Sequence, residues 1–159
     1  MKKNKRHVLT LISSIFQLFS AFAFLVLTIY FLILFLSVAL NKTPAADLGE
    51  GITRVIIIIL SVILIPVFII FFIKNLVLGL LQLKNSAKPT LSKGIMITQC
   101  VVSGIFTLIL IVLLLLSIFT EDPQIALIII NVCLLVFEIV AVTLSVVDYN
   151  KEKKNELIE

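Results

Sequence analysis

Ile125 to Val147 reads IALIIINVCLLVFEIVAVTLSVV, an apolar run of membrane length with a single acid, Glu138, sunk in its middle. A helix rises 1.5 Å per residue and the hydrocarbon core of a bilayer is roughly 30 Å thick, so the run is long enough to cross. Gln124, Asn131, Glu138 and Ser145 stand seven apart within and beside it. Such positions drift only about 20° per heptad and share one helix face. Lipid disfavours that face, so it is expected to point into a bundle.

Three more apolar runs precede this one, and composition agrees with them. The 159 residues are 61 % hydrophobic and 14 % charged, with mean hydropathy +1.26. Soluble domains hold about 45–50 % apolar and 25 % charged residues, which places this chain in the membrane class. With the spans removed, the remaining loops are too short to bury a core of their own. A single transmembrane domain is expected, with spans at about 19–40, 55–80, 95–119 and 125–147.

MKKNKRH is a basic leader, followed by an uncharged run from Val8 to Leu40. Ala21-Phe22-Ala23 imitates a secretory cleavage site, but the apolar run continues well past it, which argues for a retained span. Thr10, Ser13, Ser14, Gln17 and Ser20 make the first half of the run polar. The span is therefore expected at about Phe19 to Leu40, with the earlier turns at the interface or as a helical extension. Asn41 to Arg54, with Pro44, Gly49 and Gly51, reads as an irregular loop. Its Asn41-Lys42-Thr43 sequence is formally a glycosylation acceptor, and its contact with the span end argues against use.

The second span begins near Val55 and contains Pro66, which predicts a kink rather than a break. Asn75, Gly79 and Gln82 give its later turns a small and polar face. Lys84 to Lys93 is a basic loop. Gln99, Ser103 and Thr107 repeat at i, i+4 and i+8 on the third span, with Gly104 beside them, a pattern that brings membrane helices close. Thr120 to Gln124 is an acidic turn, short enough to make spans three and four an antiparallel hairpin. Asp148 to Glu159 is a short charged tail, expected to be frayed or helical at the surface.

Eleven Lys and Arg residues lie on the side of the two termini and two, Lys42 and Arg54, on the other. By the positive-inside rule both termini are cytoplasmic. The expected fold is thus all-α, an integral membrane four-helix bundle with N-in/C-in topology and two antiparallel hairpins. The formal charge of +4 belongs to the membrane surface and anionic lipid, not to nucleic acid.

The candidate site is an intramembrane polar set: Glu138, Asn131, Gln99, Ser103, Thr107, Lys74 and Asn75. An acid at this depth is a functional hypothesis by default, because the charged form is disfavoured in an apolar medium. Two readings stand side by side. Glu138 is either a neutral residue bonded to Asn131, Gln99 or Thr107 as interhelical glue, or the coupling site for a proton or cation. Lys74 either snorkels to the inner head groups or reaches Glu138. Cys100 and Cys133 read as buried thiols acting as small apolar residues. One histidine excludes bis-histidine haem ligation and a histidine-rich metal site within one chain. Phosphate loops, HExxH and nucleophile elbows are absent from the sequence, so no enzyme and no cofactor are expected.

The basic leader directly before a long span, the short outer loop and the basic inner loop after LGLLQLKN resemble small uncharacterised four-helix membrane proteins of low-GC Gram-positive bacteria. The resemblance implies a bacterial plasma membrane and no activity. Small multidrug exporters carry their membrane Glu in the first span, and claudin-like proteins need Trp and outer-loop Cys; neither pattern fits. The expected function is that of a non-enzymatic accessory, regulatory or immunity-type partner of a membrane complex, through a membrane-protein partner or self-association. The alternative is a small oligomeric transporter or channel coupled through Glu138.

Overall fold

The computed structural model describes residues 7–41, 43–45, 47–88, 90–118 and 125–156. The leader before His7, Lys42 of the acceptor sequence and the Thr120–Gln124 turn, including the first member of the α4 stripe, lie outside them. The chain is all-helical: α1 (Val8–Ala39), α2 (Leu48–Ser86), α3 (Lys93–Ile118) and α4 (Ile125–Glu156). All four are long and apolar enough to span a membrane.

The helices exceed the expected spans, and local chemistry shows why. α2 begins at Leu48, inside the stretch read as loop, because Asp47 caps it. Glu50 donates its N–H to Asp47 Oδ1 at 2.7 Å, and Gly51 N–H reaches Asp47 O at 3.2 Å. Asp47-x-x-Glu50 is a capping signature that places the acid Glu50 in the first turn, where it complements the helix dipole. Asn41 closes the end of α1 with an Asx-type turn, its Oδ1 accepting from Thr43 N–H at 3.1 Å. α2 continues unbroken through Pro66. α4 runs on through the charged segment to Glu156, so residues 148–156 are ordered helix rather than a frayed tail.

Contacts divide the chain into two compact units, Met1–Ser20 with Asn75–Glu159, and Ala21–Lys74. The second unit has an aromatic core. Phe24 packs on Phe71 and Phe68 with ring centroids 4.7 and 6.1 Å apart, and Phe31 on Phe68 at 5.5 Å. Thr28 Oγ1 donates back to Phe24 O of its own helix at 2.7 Å.

The first unit contains segments of all four helices and has a different interior. Its buried positions follow the helical period: Thr10, Ser13, Ser14, Gln17 and Ser20 on α1; Asn75, Leu78, Gly79 and Gln82 on α2; Leu134, Glu138, Ala141, Ser145 and Asp148 on α4. Most of these side chains are polar. The outward positions, such as Ile12, Phe19, Val77 and Val136, are large and apolar, inverting the pattern of a soluble bundle. Such a protein is solvated by lipid outside and by its own polar groups inside.

Candidate functional site

The polar interior is built in layers, and the first is at the chain termini. Asp148 Oδ2 accepts from the Thr10 backbone N–H at 2.9 Å and from Thr10 Oγ1 at 2.7 Å. The first N–H groups of a helix have no partner within it, and a carboxylate there also complements the positive helix end. His7 donates its backbone N–H to Ser86 O at 3.2 Å. Its ring stands between two acids, with Nδ1 4.0 Å from Asp148 Oδ2 and Nε2 3.8 Å from Glu152 Oε1. Glu152 accepts the Leu91 N–H through both oxygens, at 3.1 and 2.9 Å, and Asn85 Oδ1 accepts the Ser92 N–H at 3.0 Å. The charged end of α4 therefore ties down the start of α1 and the approach to α3.

The second layer centres on Ser13. Its Oγ lies 2.6 Å from Ala141 O, 2.7 Å from the Gln82 carboxamide, and 3.3 Å from Gln99 Nε2. A hydroxyl has one proton and two acceptor sites. The Ala141 carbonyl can only accept, so the proton goes there, and the Gln82 amide turns its NH2 toward Ser13. Amide orientation is fixed by such networks. Ser13 is then saturated, with one bond donated and two accepted. Beside it Ser14 Oγ donates to Gly79 O at 2.8 Å. A Cβ on Gly79 would stand 2.9 Å from Leu18 Cγ and Cδ2, so glycine is what lets α1 and α2 touch here.

One turn deeper is Glu138, 1 % exposed, with Oε2 accepting from Gln17 Nε2 at 3.4 Å. Glu138 lies ten residues from Asp148 along α4, about 15 Å at the helical rise. Ser103 of α3 is likewise wholly buried. Beyond this level, within the same unit, the next buried side chains along α3 and α4 are Leu110 and Leu134.

The residues singled out in the sequence are thus divided. Glu138, Gln99, Ser103 and Asn75 lie in the column. Gln99 gives its amide to Ser13, and the amide reaching Glu138 is that of Gln17. Asn131 is only half-buried and donates to Leu110 O at 3.3 Å. Thr107 is half-buried, and Gly104 is exposed with nothing within 4 Å of a Cβ, so it makes no close helix approach. Lys74 is buried, unlike a snorkelling side chain, and closes the Ala21–Lys74 unit. Cys133 faces outward and Cys100 is half-buried; both thiols are free. The residues missed were Thr10, Ser13, Ser14, Gln17, Ser20 and Gln82. Their i, i+3, i+4, i+7 spacing on α1 was the available signal, obscured by placing those turns at the interface.

Among the described residues of the column, seven buried atoms lack a hydrogen-bond partner: His7 Nε2, Gln17 Oε1, Ser20 Oγ, both polar atoms of Asn75, one atom of the Gln82 amide, and Gln99 Oε1. Each such group costs about 1–3 kcal/mol. Together they would rival the 5–15 kcal/mol that hold a typical domain together.

Compared with protein-family models, curated proteins and solved structures, the chain matches none. The column must be read from its own chemistry.

Proposed function

We propose that this chain is a non-enzymatic integral membrane protein of accessory or regulatory type, an immunity-type role included, that acts through a membrane-protein partner or a second copy of itself. It lies in a bacterial plasma membrane as two antiparallel hairpins with both termini cytoplasmic, the side on which eleven of its thirteen Lys and Arg residues fall. The observation that supports this reading is where the polar column stops. Past Ser103 and Glu138 the next buried positions of α3 and α4 are Leu110 and Leu134, so the described residues give no continuous buried polar path along these two helices. Conduction needs such a path across the whole hydrocarbon thickness. Enzyme chemistry needs substrate access, and Gln17, Asn75, Gln82, Gln99 and Glu138 are 0–1 % exposed.

The test is reconstitution of the purified chain alone in liposomes containing a pH-sensitive dye, with proton, sodium and potassium gradients applied in turn. Traces equal to protein-free vesicles support the accessory reading. Flux lost in Glu138→Gln overturns it in favour of a transporter.

That second reading has one observation of its own: a carboxyl group deep in a helix, sheltered and met by the Gln17 amide at 3.4 Å. Intramembrane acids so placed mark proton and ion sites. In this reading an oligomer completes the pathway, and the Glu138 carboxyl is the coupling group.

A further inference from the structure

The buried polar groups of the first unit do not form one closed network. Ser13 is saturated, while Gln17 Oε1, Gln99 Oε1, one atom of the Gln82 amide, both polar atoms of Asn75 and Ser20 Oγ are left over. All of these side chains are at most 1 % exposed. They include donors as well as acceptors, so no single ion of either sign satisfies them. Water does, because it gives and takes hydrogen bonds at once.

Their placement is ordered. Gln82 and Gln99 meet at Ser13, Gln17 and Glu138 lie one turn deeper, and Ser20 and Asn75 lie one turn beyond Gln17 and Gly79 on their own helices. At the opposite end the series runs through Ser145 to Asp148, Thr10 and His7, at the start of α1 and beside the basic connection between α2 and α3. On the far side of Glu138 the next buried position along α4 is Leu134. Water entering such a column has one polar end and one apolar end.

We propose that the column binds a file of ordered water molecules that enters at the Asp148–His7 end and stops at Glu138, Ser20 and Asn75. Glu138 is thereby in proton exchange with the membrane face at the Asp148–His7 end. This holds for an accessory protein and for a transporter alike, and it assigns a common role to Gln17, Gln82 and Gln99.

The wild-type chain suffices for the test. It has four glutamines, Gln17, Gln82, Gln99 and Gln124, so the protein labelled with 15N at glutamine side chains gives four resolvable NH2 pairs. In lipid nanodiscs transferred to deuterated buffer, the Gln82, Gln99 and Gln17 side-chain amides should exchange at least about tenfold faster than the backbone amides of the same helix turns. Gln82 and Gln99 should exchange ahead of Gln17, and all three rates should follow the pH of the buffer. Side-chain amides protected as long as their backbone neighbours would mean a dry column and overturn the proposal. Exchange fastest at Gln17 would place the entrance at the other end and overturn it equally.

Discussion

Asp148 and Thr10 are 138 residues apart in sequence, yet one carboxylate oxygen of Asp148 takes both the backbone N–H and the hydroxyl of Thr10, at 2.9 and 2.7 Å. The contact closes the chain on itself: the last turns of α4 cap the first turn of α1. A segment that by composition is a charged tail is therefore part of the fold.

Asp148→Ala leaves two donors of α1 unpaired. Hydrogen bonds to a charged group are worth about 1.5–3 kcal/mol, so a loss of about 2 kcal/mol is expected, with Asp148→Asn about half as costly because its oxygen still accepts. Unfolding in detergent, followed by the helical circular dichroism signal, checks both. Equal stability of Asp148→Ala and wild type would mean that the cap contributes nothing.

Ser13→Ala removes the group that serves Ala141 O, Gln82 and Gln99 together. Three partners lose a bond at once, and the expected cost of about 3 kcal/mol exceeds that of removing any one of them. A double-mutant cycle with Gln82→Leu reads the coupling; a value near zero would show that the two groups do not share a network.

Gly79→Ala sets a gain against a loss. Alanine favours a helix over glycine by about 1 kcal/mol. Against this, the new methyl meets Leu18 Cγ and Cδ2 at 2.9 Å, and overpacking costs about 1–3 kcal/mol. Net destabilisation of about 1 kcal/mol is expected. Leu18→Ala in the same chain should relieve the clash while adding a cost of its own, so the pair should be less damaging than the sum of the singles.

Glu138→Gln keeps an oxygen to accept from Gln17 and is expected to fold with stability within about 1 kcal/mol of wild type. Glu138→Leu strands the Gln17 amide and should cost about 1–3 kcal/mol more. If the two substitutions behave alike, the Gln17 contact is not a bond of consequence.

Arg54→Ala provides a contrast at the other end of α2. Arg54 donates to Thr43 O at 2.7 Å and pairs with Glu50 one turn away, but on an exposed helix start. Such pairs contribute about 0.3–0.5 kcal/mol. A loss above about 1 kcal/mol would show that the Thr43 contact orders the connection between α1 and α2.

The long apolar runs by themselves determined that the chain is a set of four helices of membrane length, since only helices satisfy every backbone group locally in lipid. The stripe through Glu138 and Ser145, and the Gln99 and Ser103 pair, were legible as inward faces because their spacing matches the helical period. The start of α2 was missed: Asn41 to Arg54 reads as a loop through its glycines, although Asp47-x-x-Glu50 carries the capping signal. Tertiary structure decided the rest. Which polar stripes meet depends on how helices far apart in sequence are rotated and aligned, and spacing within one helix says nothing of that. It gave Glu138 the amide of Gln17 and gave Gln99 to Ser13. It also turned Gly104 outward while Gly79 took the close contact. The tail became a cap for the same reason: a carboxylate is a surface charge or a buried hydrogen-bond acceptor according to whether a helix start is brought beside it, and that is a property of the packed chain.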